Sequence, residues 1–331
     1  MATPPSSGLR WGIIGTGWIA EQQVSDLLAN GFTVTAVGSR TQAKADEFAG
    51  RFGIPTAHGS YESLVADPEV DIVYVATPHP MHFADATLAL NAGKHVLVEK
   101  AFTINASQAQ QLVDLASSKG LVILEAMWAR FLPHMVRLRE LIAHGVIGDV
   151  RTVIADHNQS LPQNPEHRLQ NLALGGGALL DLGIYPVSFA WDMLGEPESV
   201  HAISTPTPTG ADRQTAMILG FADGRQAVLH TALDTAGPNT ASVIGTEGWV
   251  AIHKVFYEPT SFTVYATDGS IVEHYESDVS DRGMQYQAWE LERRVLSGQA
   301  ATDILPPSET VGIMRTLDEV RRQIGLVYPG E

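Results

Sequence analysis

Three polar side chains of this chain have the types and the spacing of a proton-transfer set. Asp181 and Tyr185 stand four residues apart in the segment GGGALLDLGIY, a spacing that places a carboxylate and a phenol one turn apart on one face of a helix. Lys100 ends the apolar segment HVLVEK, which is typical of a buried strand. A lysine ammonium beside a tyrosine favours the phenolate and lowers the pKa of the phenol, which suits exchange of a proton with a substrate hydroxyl. We therefore predict Lys100, Asp181 and Tyr185 as catalytic residues.

Pro186 directly follows Tyr185 and affects the helix that this spacing assumes. Because the residue before a proline is disfavoured in the α conformation, the helix is expected to be kinked there or to begin later. The structural alternative is a buried tyrosine that bonds to a neighbouring aspartate and does no chemistry.

A glycine-rich turn near the N-terminus predicts a dinucleotide cofactor. The segment GTGWIA, residues 15–20, follows an apolar strand and opens a helix, which is the context that the dinucleotide fingerprint requires. Gly15 permits the tight turn, Gly17 lets the backbone approach a pyrophosphate, and the helix N-terminus then faces the phosphates. The alternative is an ordinary glycine-containing turn between a strand and a helix. The predicted contacts from this turn are Gly15, Thr16, Gly17, Trp18 and Ile19.

The end of the second predicted strand indicates which nicotinamide cofactor is bound. An NAD site normally carries an acidic residue there, which binds the 2′-hydroxyl of the ribose. Ser39 and Arg40 stand at this place and offer a hydroxyl and a guanidinium to a 2′-phosphate, with Arg40 able to stack on the adenine. The alternative is a solvent-exposed arginine that caps the next helix. We predict NADP as the cofactor in preference to NAD.

Residues just beyond other predicted strands complete the candidate cofactor site. The segment TPHPMH follows the third strand, and loops at the carboxyl ends of parallel strands line the cofactor crevice. Two histidines in it suggest a metal site, but the loop holds no acidic third ligand, so we predict loop-shaping and cofactor contacts and no metal. An arginine among apolar residues past the last strand has either a pocket or a core role. The predicted contacts are Thr77, Pro78, His79, His82, Glu99, Lys100, Trp128 and Arg130.

The elements that position these residues divide the chain into two predicted domains. Residues 9–128 alternate continuous apolar runs with helical stretches, the pattern of a doubly wound parallel sheet buried on both faces. Residues 129–331 contain successive strands separated by DG and EG turns, then two helices near 283–297 and 308–323, which predicts an open, mostly antiparallel sheet with helices on one side. Its other face is expected to need a partner. Residues 1–8 are predicted to be a disordered lead-in, and the fold class is α/β.

Composition excludes several classes of function. The 331 residues carry 21 basic and 37 acidic side chains, a net charge of −16, which disfavours nucleic acid and anionic lipid as partners. An anionic cofactor must then be held by local donors, because the overall field opposes it. The chain has no cysteine, which excludes disulfides, thiolate zinc sites and cysteine nucleophiles. With no apolar run near the length of a membrane span and no apolar segment at the N-terminus, we expect a soluble, cytoplasmic protein.

Taken together, these motifs resemble the Gfo/Idh/MocA family of sugar oxidoreductases. The similar segments are residues 15–20, Glu99-Lys100, 125–131, 175–185 and 283–290, which span nearly the whole chain. The usual Glu-Lys-Pro of the family is Glu-Lys-Ala here, so a rigidifying proline is absent while the lysine is kept. Many members carry histidine at position 185. Tyrosine there, with WARF at 128–131, is similar to the branch of dimeric dihydrodiol dehydrogenase, xylose dehydrogenase and glucose–fructose oxidoreductase.

The resemblance implies hydride transfer at a carbinol carbon and a homodimer or homotetramer formed through the second domain's open sheet. It implies Tyr185 as the acid/base, Lys100 as its pKa-lowering partner, and Asp181 as a substrate or orienting ligand. The substrate would be a sugar, a sugar derivative or a cyclic diol. Two other functions remain open: a non-catalytic NAD(P)-sensing regulator on the same fold, and a glycosidase-like enzyme with tightly bound NAD. A sensor has no need of the three polar residues, and Ser39-Arg40 with an acid/base tyrosine suits the glycosidase poorly.

Overall fold

The computed structural model describes residues 7–299 and 302–331, which group into two compact units. Unit 1 comprises the described residues within Met1–Trp128 and Asp281–Val311, and unit 2 comprises those within Ala129–Ser280 and Gly312–Glu331. Of the predicted disordered lead-in, residues 1–6 lie outside the described residues. The two units are described in turn.

Unit 1 contains the predicted doubly wound domain, with six parallel strands in the order β3-β2-β1-β4-β5-β6. The apolar strands are buried almost throughout, because helices cover both faces of such a sheet. The order reverses between β1 and β4, and ligands of this fold bind outside the carboxyl ends of the strands at that point. The elements are β1 (Arg10–Ile14), α1 (Trp18–Ala29), β2 (Thr33–Gly38), α2 (Gln42–Phe52), β3 (Thr56–His58), α3 (Tyr61–Val65), β4 (Ile72–Val75), α4 (His82–Asn91), β5 (His95–Glu99), α5 (Ala106–Ser118) and β6 (Ile123–Ala126).

Unit 2 is built on one large sheet with the order β14-β13-β12-β11-β7-β10-β9-β8. Its pairs are antiparallel except for β7 with β10, which run parallel, so the predicted open and mostly antiparallel sheet is confirmed. Its elements are α6 (Pro133–Ala143), β7 (Val150–Asn158), α7 (Ile184–Leu194), β8 (Ser199–Pro206), β9 (Asp212–Gly220), β10 (Gln226–Ala232), β11 (Ala241–Gly245), β12 (Gly248–Ile252), β13 (Phe262–Ala266) and β14 (Ile271–Tyr275).

One face of this sheet packs against α7, and its strands alternate buried and exposed residues as a sheet with one covered face requires. Val153 and Ala155 of β7 point to the covered face, while Ile154 between them is 45% exposed. The segment Leu172–Leu194 has the length and mean hydropathy, 1.4, of a membrane-spanning helix, which the sequence reading had not anticipated. Since 83% of its most apolar window is buried, it has the environment of a core helix.

Two helices complete the chain, α8 (Gln285–Ser297) and α9 (Pro307–Ile324). The predicted second domain, residues 129–331, included both, but the structure groups residues 281–311 with unit 1. The reason is a set of buried contacts between α8 and the start of the chain. The Trp11 indole donates to Glu292 Oε1 at 2.8 Å, Gln287 Nε2 donates to Gln23 Oε1 at 2.9 Å, and the rings of Phe32 and Trp289 stack.

Candidate active site

The glycine turn after β1 has the backbone that its sequence predicts. Gly15 has φ of +99°, and its N–H donates to Gly38 O at 3.0 Å. A Cβ at this position would lie 2.9 Å from the carbonyl oxygen of Ala76, so both the φ value and the close approach require glycine.

Gly17 is the N-cap of α1 and has no side chain that could cap the helix. It is exposed, and a Cβ at Gly17 would have no atom within 4 Å, so the backbone N–H groups of the first turn can be approached from this side. Free N–H groups and the positive end of the helix dipole suit a diphosphate. These observations show that the turn fits a dinucleotide, with Thr16 and Ile19 half-buried and Trp18 61% exposed beside it.

Ser39 and Arg40 follow β2 as predicted, and they differ in exposure. Ser39 is buried, with its N–H donating to His58 O at 3.1 Å, whereas Arg40 is exposed. Burial raises the pKa of the Tyr61 phenol, and the charge of Arg40 opposes that shift, which places the guanidinium near this ring. A fixed hydroxyl next to a solvent-facing guanidinium suits a 2′-phosphate.

His79 and His82 tie the loop after β4 to the loop after β5. His82 Nε2 lies 2.7 Å from Thr77 O and its Nδ1 lies 2.9 Å from Ala101 O, while His79 Nε2 lies 3.2 Å from Lys100 O. Burial lowers the pKa of His82 to about 4, so the ring is neutral and donates to one carbonyl at a time. Thr77 Oγ1 donates to Asp85 Oδ2 at 2.7 Å. These contacts support the loop-shaping interpretation, and the described residues hold no cluster of three metal-ligating side chains.

Lys100 directly follows β5 and is half-buried. Its backbone N–H donates to Glu99 Oε2 at 3.2 Å, and the peptide bond between Lys100 and Ala101 is cis. Glu99 is buried and its Oε1 accepts the Tyr74 hydroxyl at 2.5 Å. The strand therefore fixes the backbone of Lys100 through a buried carboxylate. Pro78 directly precedes the 3₁₀ helix His79–Met81, whose His79 contacts Lys100 O.

Asp181 and Tyr185 lie on consecutive helical segments of unit 2. A π-helical turn, Leu179–Gly183, carries Asp181, and α7 begins at Ile184, so Tyr185 is in its first turn. Gly183 and Ile184 have helical backbone angles, so the helix runs on from the π-helical turn into α7, and the distortion expected beside Pro186 takes the form of this turn directly before it. Both residues are 7% exposed.

Two aromatic residues that the sequence reading missed surround Tyr185. The rings of His157 and Tyr257 stack with centroids 3.9 Å apart, and they lie 5.1 Å and 4.9 Å from the ring of Tyr185. His157 Nδ1 lies 3.2 Å from Leu182 O, which indicates a proton on Nδ1 and leaves Nε2 to accept from Gln159 Nε2 at 2.8 Å. The same amide donates to the Tyr257 hydroxyl at 3.2 Å. His157 could have been found from the sequence, because it is a polar residue on the buried face of β7. No sequence pattern marks Tyr257.

A third missed residue contacts Asp181. Arg168 Nη1 and Nη2 both lie 3.2 Å from Asp181 Oδ1, and the arginine side chain is 51% exposed. Its backbone packs against Gly176, where a Cβ would lie 2.7 Å from the carbonyl oxygen of Arg168. The loop at residues 159–174 thus supplies a cation to the predicted catalytic carboxylate.

Trp128 and Arg130 are both buried, but in different units. Arg130 Nη2 pairs with Asp192 Oδ1 at 3.1 Å and its Nη1 donates to Ser188 O at 3.0 Å. Arg139 binds the other oxygen of Asp192 at 2.8 Å. This network supports the core alternative for Arg130, and its cofactor contact stays a prediction. The ring of Trp128 contacts the guanidinium of Arg282 within unit 1.

The predicted site residues therefore form two groups. The glycine turn, Ser39-Arg40, the histidine loop, Glu99-Lys100 and Trp128 belong to unit 1, and Arg130, Asp181 and Tyr185 belong to unit 2. The first group provides an anion site and a cation after β5, and the second provides a phenol and a carboxylate among aromatic rings.

Two family models match the chain. Residues 9–126 match the oxidoreductase family with an NAD-binding Rossmann fold, and residues 135–251 match the Gfo/Idh/MocA C-terminal domain. A D-xylose 1-dehydrogenase (NADP(+)) from Hypocrea jecorina is 38% identical, with 99% of this chain and 95% of the relative covered. A trans-1,2-dihydrobenzene-1,2-diol dehydrogenase from Mus musculus is 36% identical, with 97% and 98% covered.

Solved structures show the same architecture. A 3-ketoreductase from Actinomadura kijaniata in complex with NADP and TDP-benzene has a TM-score of 0.84 at 27% identity, with 96% of this chain and 98% of that chain covered. An aldose-aldose oxidoreductase from Caulobacter crescentus complexed with glycerol has a TM-score of 0.85 at 25% identity, with 95% and 97% covered.

Proposed function

Since the chain belongs to the Gfo/Idh/MocA family of oxidoreductases, we propose that it is an NADP-dependent enzyme acting on a sugar, a sugar derivative or a cyclic diol. The observation that carries the proposal is the buried phenol of Tyr185 at the start of α7, four residues after Asp181. The xylose and dihydrodiol dehydrogenases that resemble the chain along almost its full length support these substrate classes.

NADP is the cofactor that the residues of unit 1 fit. Gly15 and Gly17 would hold the diphosphate at the N-terminus of α1, and Ser39 with Arg40 would hold the 2′-phosphate. When bound, the nicotinamide ring supplies the site that accepts or donates the hydride. The relatives that use or bind NADP support this assignment.

Tyr185 exchanges the proton of the substrate hydroxyl in the proposed mechanism. A free tyrosine is a weak base at neutral pH, because its pKa is near 10. The ammonium of Lys100 favours the phenolate and thereby makes proton transfer feasible. Asp181, held by Arg168 at 3.2 Å, orients a substrate hydroxyl, and the His157 and Tyr257 rings hold the phenol in place.

The competing function is a non-catalytic regulator that senses NAD(P). It would bind the cofactor through the same glycine turn but would have no use for Lys100, Asp181 and Tyr185. The joint presence of the three residues favours the enzyme.

A substrate panel tests the proposal against this alternative. Aldoses, inositols, anhydrosugars and dihydrodiols are incubated with NADP and with NAD, and the absorbance of the reduced cofactor is followed. We expect turnover of at least one class with NADP as the better cofactor. The regulator would be favoured if the protein binds NADP tightly but oxidises none of these substrates and, with the reduced cofactor, reduces none of the matching ketones.

The cofactor preference has its own test, Arg40→Ala. Because Arg40 is exposed, its removal costs little packing, and loss of one charge-assisted contact should weaken NADP about 10- to 100-fold. NAD affinity should change far less. Arg322→Ala is the control, since Arg322 is a surface arginine of unit 2 that pairs with Glu319 at 2.6 Å. Equal losses for NADP and NAD would refute the role of Arg40.

We also propose that the exposed face of the unit 2 sheet forms a homodimer or homotetramer interface. Ile154, Val228 and Ile218 are in register across β7, β10 and β9 and are 45%, 44% and 49% exposed. Ile203 on β8 shares this face and is 74% exposed. Contiguous apolar surface of this kind is typical of an interface. A cytoplasmic location remains a prediction.

A further inference from the structure

Arg282 of unit 1 lies beside the start of α1, in contact with two tryptophan rings. Its guanidinium carbon lies 5.3 Å from the ring centroid of Trp18 and 5.3 Å from that of Trp128. Trp18 is the first residue of α1 and is 61% exposed, while Trp128 is buried. Both distances are within the range of cation–π attraction. The guanidinium is thus held between a buried indole and an indole that directly follows the predicted diphosphate turn.

The backbone that carries Arg282 is fixed to α1. The N–H of Met284, two residues on, donates to Asp26 Oδ2 at 2.9 Å, and Gly283 between them has φ of +86°. Burial raises the pKa of Asp26, and the charge of Arg282 acts against that shift. Because α8 then packs along α1, the position of Arg282 is set by buried contacts and not by a mobile loop.

The N-terminus of α1 needs such a cation if it is to hold a dinucleotide. The chain has a net charge of −16, so the overall field opposes an anion. The one acidic residue in the first turn of α1, Glu21, is already paired with Arg51. An arginine can stack its planar face on aromatic rings while its edge N–H groups bind phosphate oxygens.

We propose that Arg282 is a cofactor-binding residue that contacts the diphosphate of NADP from between Trp18 and Trp128. The inference rests on the proposed function, because it assigns a residue to the same cofactor. It adds to the site a cation from residue 282, far in sequence from the glycine turn, and it gives Trp18 the role of presenting that cation.

Calorimetric titration of NADP and of NAD into the full-length protein tests the proposal. The variants are Arg282→Met, which removes the charge and keeps much of the length, and Arg282→Lys, which keeps the charge without the planar group. We expect Arg282→Met to weaken both cofactors about 10- to 100-fold and by the same factor, since both contain the diphosphate. Arg282→Lys should recover part of the loss. Arg40→Ala should weaken NADP alone, and Arg322→Met, at an exposed arginine of unit 2, should change the affinity for neither cofactor.

The outcomes separate this inference from the proposed function. If the unmodified protein binds neither cofactor, the proposed function fails. If it binds NADP and Arg282→Met retains that affinity within about twofold, the proposed function stands and the role of Arg282 is refuted. A loss confined to NADP also overturns the proposal, since it would place Arg282 at the 2′-phosphate. Thermal unfolding without ligand identifies a folding defect; should the Met variant have one, Arg282→Lys and Arg282→Gln decide the question by the same titrations.

Discussion

Replacing Asp212 by asparagine should remove one component of the pH dependence of the protein's stability. Asp212 begins β9 and is 2% exposed. Its Oδ2 accepts the Leu179 N–H at 2.8 Å and the Thr215 hydroxyl at 3.0 Å, so it anchors the π-helical turn that carries Asp181. Burial, the largest cause, raises the pKa of this carboxyl from 3.8 to about 7, and the hydrogen bonds act in the opposite direction.

The sign of the effect follows from which state binds the proton more tightly. Between pH 3.8 and about 7 the folded protein keeps Asp212 protonated, whereas the unfolded chain loses that proton. The contribution to stability is therefore complete below pH 3.8 and is lost as the pH rises through 7. A shift of about three pKa units corresponds to about 4 kcal/mol over the whole window, of which about 2 kcal/mol falls between about pH 5.5 and about pH 8.

Urea unfolding at these two pH values, followed by far-UV circular dichroism, measures the effect. Asparagine keeps an oxygen for the Leu179 N–H and cannot ionise. The free energy of unfolding of the unmodified protein should thus fall by about 2 kcal/mol more than that of Asp212→Asn between the two pH values. Asp268→Asn is the control, since Asp268 is exposed in a turn and its hydrogen bonds to Ser270 lower its pKa. Parallel pH profiles for the unmodified protein and Asp212→Asn would refute the reasoning.

Three further predictions concern the site, the core and the assembly. Tyr185→Phe should lower kcat about 10²- to 10⁴-fold with NADP affinity unchanged, and Lys100→Met combined with it should be little worse than either change alone. Asp192→Ala should reduce the free energy of unfolding by about 3–5 kcal/mol in urea, because it leaves the buried Arg130 and its neighbour without their carboxylate. Val228→Asp, on the exposed face of β10, should convert an oligomer to a 35.6 kDa species in sedimentation experiments at micromolar concentration.

Each has a control and a contradictory result. Near-normal turnover of Tyr185→Phe on the best substrate would assign the acid/base to another group. The control is Glu196→Ala, which breaks an exposed pair with Arg315 and should lower the free energy of unfolding by less than about 1 kcal/mol. If Asp192→Ala lowers the free energy of unfolding by no more than this control, the buried network is not stabilising. Val327→Asp changes an exposed apolar residue away from the sheet and should leave the oligomer intact. An unmodified protein that sediments as a 35.6 kDa species would refute the proposed interface.

Local patterns determined which parts of the fold could be predicted. The strand, glycine turn and helix at residues 10–29 have their signals within a few residues of one another. The short elements β3 and α3 were missed, because three and five residues carry too little periodicity. The edge strands β8 and β14 were missed as well, because both are largely exposed and neither contains a buried residue.

The residues missed at the candidate site all depend on contacts that no local sequence pattern marks. Tyr257 meets Tyr185 across 72 positions, and no local pattern marks it. In the sequence, Arg168 is one charged residue in a polar loop. Only the close packing of its backbone on Gly176 shows that it lies beside the helical segment of Asp181. Arg282 precedes a helix that was assigned to the second domain, and only the packing of α8 on α1 places it beside Trp18.

Because α8 packs in unit 1, this unit can be completed only late in the synthesis of the chain. The Trp11 indole, the Gln23 amide and the Phe32 ring find their partners on residues 287–292, near the end of the sequence. During synthesis the partners of Gln23 and Trp11 leave the ribosome 264 and 281 residues after them, so the nucleotide-binding unit stays incomplete until α8 has emerged. A fragment ending at residue 128 would expose these groups to water, and a chain cut before α8 would lose them together with Arg282. Unit 1 therefore requires the chain through α8 and is not formed by the residues up to Trp128 alone.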